Sequence, residues 1–269
     1  MDETRRRDYL AAMGVSIWTL RPGMEPLIAA SPIEEAASVV PERSVRPESP
    51  PQDPPPSVEV PSESAIIEPA APAKTTASDS QTMDWDALEA AVVACRACGL
   101  CDTRTQTVFG VGNRQARLLV IGEAPGADED RLGEPFVGRA GQLLNRMLEA
   151  IGCPRESVYI ANVLKCRPPG NRDPRQEESQ RCQGFLLGQL RLIRPELILA
   201  VGRIAAQHLL QTDESVGRLR GRWLEFGPER IPVRVTYHPA YLLRSPEQKA
   251  KVWGDLTIVR RRLDASGTG

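Results

Sequence analysis

The stretch "ARLLVIGEAPG", residues 116–126, decides the fold. Leu118 to Ile121 form an apolar run that stops at Gly122 in a sharp Gly/Pro turn. So short a run reads as a buried strand, and the turn after it leads towards a helix. "GQLLNRMLEAIG" (141–152) supplies that helix and ends at Gly152. The turn has the outline of a phosphate-binding loop, but Glu123, Asp128, Glu129 and Asp130 crowd it with negative charge. A phosphate would be repelled there, so the turn raises the question of which other ligand it holds.

The same alternation continues along the chain. "SVYIANVLKC" (157–166) and "PELILAVG" (195–202) read as strands, and "PRQEESQRCQGFLLGQLRLIR" (174–194) is the helix between them. "RIAAQHLL" is a short helix, "GRWLEF" and "IPVRVTYHP" are further strands, and "PEQKAKVWGDLTIVRRRL" is a closing helix. "DWDALEAAVVACRAC" opens the globular part as a helix with Asp84 as its N-cap. Strands alternating with helices predict an α/β sandwich around a mostly parallel sheet. In such sheets ligands bind outside the carboxyl ends of the strands. The "GEAPG" turn, Asn162 with the "KCRPPGNRDP" loop, Gly202 and His238 all fall at strand ends, so they should share one rim.

Before that domain, residues 31–83 are rich in Pro, Ser, Glu and Ala and read as a disordered linker. Residues 1–30 contain a possible helix face made of Tyr9, Leu10, Met13, Ile17 and Trp18. It is either a frayed terminal helix packed on the main domain or a docking peptide (about residues 5–20) for a protein partner. The expected domain is therefore 84–269. Residues 1–83 hold 13 acidic and 7 basic side chains, whereas 84–269 hold 22 and 27, so the net charge of −1 hides a basic domain. Arg outnumbers Lys by 30 to 4, which suits phosphate contacts without establishing them. No leading segment resembles a signal peptide and no apolar run is long enough for a bilayer, so the expectation is a cytoplasmic protein without membrane contact.

Six cysteines in such a protein point to metal rather than disulfides. "CRACGLC" places Cys95, Cys98 and Cys101 in overlapping C-x-x-C pairs, and Cys166 and Cys182 follow in a second region. Four thiolates from the two regions could hold a [4Fe–4S] cluster or a structural zinc, and spacing alone does not choose. Cys153 has no near partner and reads as a core or surface thiol. His238, at a strand end, could donate a hydrogen bond to a developing anion or act as an acid or base, while His208 reads as structural. Phe136 stands in a polar loop, where it could stack on a planar ligand or tuck into the core. Asn162 sits in an apolar strand; its amide could read the edge of a planar ligand or bridge backbone groups.

These motifs, "GEAPGADEDRLGEPFVGRAGQLLNRML", "VYIANVLKCRPPGNRDP" and "HPAYLLR", resemble the family 4 uracil-DNA glycosylases, the iron–sulfur branch of that superfamily. The resemblance covers about Trp85 to Leu263, with every motif in order. It implies a three-layer α/β/α sandwich with a four-stranded, mainly parallel sheet, and a monomer that excises uracil from DNA. It implies that Cys95, Cys98, Cys166 and Cys182 ligate a [4Fe–4S] cluster of structural character, leaving Cys101 as an extra thiol. It places Gly122, Glu123, Ala124, Phe136, Asn162 and His238 around uracil, with Glu129 near the C5 edge. Glu123 is then the nearest carboxylate for positioning water, directly or through another group. Leu242 is the expected wedge into the duplex and Leu243 the core residue, with Arg167, Arg172, Arg175 and Arg244 on phosphates. A related branch traps DNA covalently through a histidine in the loop after the third cluster cysteine. Here that loop, "RPPGNRDPRQEE", contains none, so turnover is expected.

Overall fold

The computed structural model describes Ser80 and residues 82–266. The expected N-terminal segment 1–30, and the Pro-rich stretch up to residue 79, lie outside the described residues. Six strands form one sheet in the order β1-β3-β2-β4-β6-β5. They are β1 (Val111–Gly112), β2 (Leu118–Gly122), β3 (Tyr159–Asn162), β4 (Leu197–Val201), β5 (Leu224–Phe226) and β6 (Ile231–Thr236). The central strands β3, β2, β4 and β6 are parallel, as the alternation predicts. The sheet has six strands rather than four because short antiparallel strands, β1 and β5, close its two edges. The expected strand 157–166 forms a ladder strand only over Tyr159–Asn162. Beyond Asn162 the chain still bonds to the end of β2, through Val163 N–H to the Gly122 carbonyl and Leu164 N–H to the Glu123 carbonyl, before turning away.

The three layers follow from the handedness of the crossovers. From β2 the chain passes through α2 (Ala127–Leu132) and α3 (Arg139–Ala150) to β3 on one side of β2. From β3 it returns through α4 (Gln176–Ile193) to β4 on the other side of β2. Right-handed crossovers in opposite directions place their helices on opposite faces. Accordingly Leu118, Val120 and Ile160 pack with Leu144, Met147 and Leu148 of α3. Their neighbours Leu119, Ile121 and Ala161 pack with Leu186, Leu190 and Ile193 of α4. This period-two division is what buries every residue of β2. The helix α8 (Lys249–Ser266) adds Val252, Leu256 and Val259 to the first layer, while α5 (Arg203–Leu210) adds Ala205 and Ala206 to the second. The first described helix, α1 (Trp85–Ala94), is capped as expected by Asp84 Oδ1, which accepts from Ala87 N–H at 2.9 Å.

β2 is therefore the strand at which the chain reverses its direction across the sheet. The crevice outside its carboxyl end is the place where such folds bind ligands. The register sets Gly122 beside Asn162 and Val201 beside Thr236, so the ends of all four central strands open on this one edge.

Close backbone contact underlies that edge. Gly141 lies in the first turn of α3, and a methyl group built there would stand 1.8 Å from the Phe136 carbonyl oxygen. Gly141→Ala should therefore destabilise the domain by about 1–3 kcal/mol, the cost of overpacking against backbone. Urea unfolding checks this, and a midpoint equal to wild type would refute the contact.

Candidate active site and cysteine cavity

At the carboxyl edge lies a cavity of about 770 Å³. Its walls include Glu123 and Ala124 of the turn, Phe136, Asn162, Gly202, His238 and Arg244. Phe136 is buried, with a left-handed backbone (φ 54°) that costs a non-glycine residue energy. The surroundings over-determine it. The Arg155 guanidinium donates to the Phe136 carbonyl at 3.3 Å and to the Pro135 carbonyl at 2.6 Å. From the other side, Glu129 accepts from the N–H groups of Gly126, Val137 and Gly138 at 3.1, 2.9 and 3.1 Å, tying the two arms of the loop together.

Gly122 is the floor on which the ring and the amide meet. A methyl group there would lie 2.5 Å from Phe136 Cζ and 2.4 Å from Asn162 Oδ1, so only glycine leaves both in place. The Asn162 side chain is buried, and neither Oδ1 nor Nδ2 has a hydrogen-bond partner. Each unpaired buried polar group costs about 1–3 kcal/mol, so the amide is poised for a ligand offering both a donor and an acceptor.

His238 faces Phe136, with ring centroids 5.6 Å apart. Burial and the nearby Arg244 push its pKa down to about 4, against the pull of Glu129. The ring is thus neutral at physiological pH. Its Nδ1 accepts from Ala240 N–H at 3.1 Å, capping the short helix α7 (Pro239–Arg244). A neutral ring that accepts at Nδ1 carries its proton on Nε2, as a hydrogen-bond donor. Burial, and secondarily Asp173, lifts Glu123 to about 7, with Arg203 acting in the opposite sense. One end of the cavity thus holds an acid that titrates near neutrality and an imidazole that does not.

The second constellation lies behind β3. Cys95, Cys98, Cys101, Cys166 and Cys182 line one small cavity with Arg104 and Lys165, and no described cysteine is in a disulfide. Arg104 Nη1 donates to Cys166 Sγ at 2.9 Å, and Lys165 N–H donates to Cys182 Sγ at 3.3 Å. Cys101 differs, since its thiol donates to Asp102 Oδ1 at 3.4 Å. Burial pushes Cys182 up to about 12 and raises Cys98 and Cys166. A bound cation would be needed to hold such sulfurs as thiolates at neutral pH, and the N–H and guanidinium donors suit sulfurs that carry charge. The donor set therefore fits a metal centre. Among the described residues, no three His, Cys, Asp or Glu side chains converge as ligands of a single ion.

Comparison with known proteins adds to this geometry. Residues 109–257 match the family model of the uracil DNA glycosylase superfamily. The chain is 45% identical over 170 residues to the type-4 uracil-DNA glycosylase of Archaeoglobus fulgidus, covering 61% of this chain and 85% of that protein. It is also 45% identical over 157 residues to the Thermotoga maritima type-4 protein, covering 57% and 80%. The Pyrobaculum aerophilum type-4 protein is 37% identical over 182 residues, covering 65% and 93%. The chain belongs to the type-4 uracil-DNA glycosylases. The family resemblance of the motifs and the α/β/α architecture thus agree.

Within this glycosylase fold the expected residues fall into two groups. Gly122, Glu123, Ala124, Glu129, Phe136, Asn162 and His238 converge around the cavity, though the Glu129 carboxylate is engaged by backbone rather than free to meet a ligand edge. Phe136 both lines the cavity and belongs to the core, so the two readings of it coincide. The expected outer contacts differ in how far the fold exposes them. Leu242 is a core residue, 1% exposed, and Leu243 is the exposed one at 39%, because α7 presents residue 242 to the first layer. Arg172 is held by Glu178 through bonds of 2.9 and 2.6 Å, and Glu178 also caps α4 through Arg175 N–H; the Arg172 side chain remains partly exposed and lines the cavity. Arg167 donates to Asn171 Oδ1 at 2.7 Å, while the side chains of Arg175 and Arg244 stand exposed. Cys153 is a buried core thiol and His208 is half-buried, its pKa lowered by burial. Arg155, Gln189, Asp173 and Arg203 carry weight that their place in the sequence does not announce. A half-buried Arg or a buried Gln has no local motif, and its partners lie far along the chain.

The raised pKa of Glu123 has a consequence for stability. The unfolded carboxylate releases its proton near 4.5, and the folded one only near 7. Stability is therefore lost as pH rises between these values, and the cost stays constant above them. Glu123→Gln should stabilise the protein at pH 8 by about 1–2 kcal/mol after allowance for solvent screening, and by little at pH 4.5. Thermal melts across this range check it. Equal pH profiles for variant and wild type would contradict the burial of a titrating acid.

Proposed function

We propose that this protein hydrolyses the N-glycosidic bond of deoxyuridine in DNA after the nucleotide has been extruded from the duplex. The observation that carries this reading is the doubly unpaired Asn162 amide beside a buried ring and a neutral imidazole. Uracil offers N3–H to Asn162 Oδ1 and O4 to Nδ2, and Phe136 covers its face. Cytosine offers the opposite pattern at that edge, which would leave buried groups unpaired. Extrusion costs a few kcal/mol, and these contacts offset it. As the bond breaks, the base leaves as an anion and the sugar becomes cationic. The His238 Nε2–H would meet the charge developing on O2, a preorganised donor in a buried site. The Glu123 carboxylate would stabilise the cationic sugar and orient the attacking water. The acidic turn then suits its ligand, since the charge it faces is positive.

Arg167, Arg172, Arg175 and Arg244 are the proposed phosphate contacts, and the exposed Leu243 replaces Leu242 as the side chain placed to enter the duplex. Cys95, Cys98, Cys166 and Cys182 would hold a [4Fe–4S] cluster, as the four line one cavity together. Bound there, the cluster would brace the loops flanking β3 without taking part in the chemistry. With no histidine in 167–178, release and turnover follow. The physiological role would be the first step in repairing deaminated cytosine, by a monomer acting in the cytoplasm. Among the described residues no helix is long and apolar enough to cross a membrane.

Purified protein incubated with labelled DNA holding one U·G or U·A pair should yield an alkali-sensitive site; intact strands would refute the reading. His238→Ala should slow single-turnover excision about 10²–10³-fold, the usual loss for one preorganised oxyanion donor. Because Glu123 must be ionised, the wild-type rate should rise with pH up to about 7 and then level, with no inflection near 4 to 5 from His238 gaining activity on protonation. A rate that falls as pH rises through 7 would contradict the role of Glu123.

A further inference from the structure

Lys165 is the largest fully buried side chain among the described residues, 1% exposed, and the chemistry above makes no use of it. A buried ammonium is costly unless a charge of opposite sign lies near it. Its Nζ donates to the Asn162 carbonyl at 2.9 Å and to Gln189 Oε1 at 2.7 Å, both neutral. Gln189 is locked in that orientation, because its Nε2 donates to the Phe109 carbonyl at 2.8 Å. The buried carboxylates are engaged elsewhere: Asp130 by Thr105 N–H, Glu178 by Arg172, and Asp255 by Arg220 and Arg234. The groups of opposite charge that act on Lys165 are the sulfurs of Cys182 and Cys166. The residue lines the cysteine cavity, its backbone N–H donates to Cys182 Sγ, and Cys166 follows it in sequence.

We propose that Lys165 is the counter-cation of the metal centre held by the cysteines and, through its bond to the Asn162 carbonyl, a positioning residue that couples that centre to the base-reading amide. The inference rests on the metal-centre reading given above. Four thiolates around a cluster leave net negative charge in a low-dielectric interior, where a cation a few ångströms away is strongly favourable. The same ammonium is tied to the residue whose side chain meets the base. Loss of the centre would strand the ammonium and loosen the backbone at Asn162. The cluster can thus matter to base recognition without touching the base.

The test uses full-length protein purified without oxygen, as wild type, Lys165→Gln, Lys165→Arg and Lys165→Met. Wild type should contain iron; its absence would overturn the metal-centre reading and this inference with it. Lys165→Gln removes the charge but keeps a donor. It should lose iron to a ferrous chelator at least tenfold faster. Its reduction equilibrium constant should fall at least tenfold, a shift of about 59 mV to more negative potential for one electron. Lys165→Arg, which keeps the charge, should stay near wild type in both. Lys165→Met, which also loses the bond to Asn162, should lower the single-turnover excision rate with little change in KM. Iron-loss rates and potentials equal to wild type in Lys165→Gln would overturn the proposal. If neither neutral variant folds, Gln189→Glu leaves the lysine in place and neutralises it with a carboxylate. It should show the same faster iron loss and negative shift, and an unchanged centre would overturn the proposal equally.

Discussion

The constraint on which the site depends is the burial of the Asn162 amide with both polar ends unpaired. A folded chain normally satisfies such a group from its own backbone. Here the neighbours prevent it. Asn162 ends a central parallel strand beside Gly122, which has no side chain to offer, and the Phe136 ring closes over the same floor. Its own carbonyl is taken by Lys165. The strained backbone of Phe136, the Glu129 bonds across the loop and the Arg155 clamp all hold that ring where it is. The energy spent on these features keeps a donor–acceptor pair free for a ligand.

Electrostatics divides the labour within the same cavity. Burial acts on Glu123 and His238 alike, disfavouring the charged form of each. For the acid this brings the titration to neutrality, so that it is ionised only in the upper physiological range. For the imidazole it removes the charge altogether, and the Ala240 N–H fixes which nitrogen keeps the proton. One physical cause therefore yields an acid that titrates near neutrality and a neutral imidazole in the same cavity.

Much of this was legible in the chain. The apolar run of β2, the Gly/Pro turn after it and the strand–helix alternation predicted the parallel sheet, and parallelism brought "GEAPG", Asn162, Gly202 and His238 to one edge. What failed to show depends on phase and on distant partners. Leu242 and Leu243 are adjacent and chemically identical, and only the rotation of a six-residue helix decides which one is buried. The ion pair of Arg172 with Glu178 likewise joins the loop to a helix in a way that residue type alone does not announce. The edge strand β1 is two residues long and carries no pattern of its own. The motif "NVLKC" shows a lysine between two site residues, but its burial and its neutral partners appear only in three dimensions.

The central claim is that the Asn162 amide reads uracil by donating and accepting at once. It can be tested by nuclear magnetic resonance of ¹⁵N-labelled protein, with the Asn162 side-chain signal assigned by its loss in Asn162→Asp. Addition of an oligonucleotide carrying a non-hydrolysable deoxyuridine should shift the Asn162 NH₂ resonance, whereas the matching deoxycytidine strand should leave it in place. An Asn162 signal unmoved by uracil, or moved equally by both strands, would contradict the account.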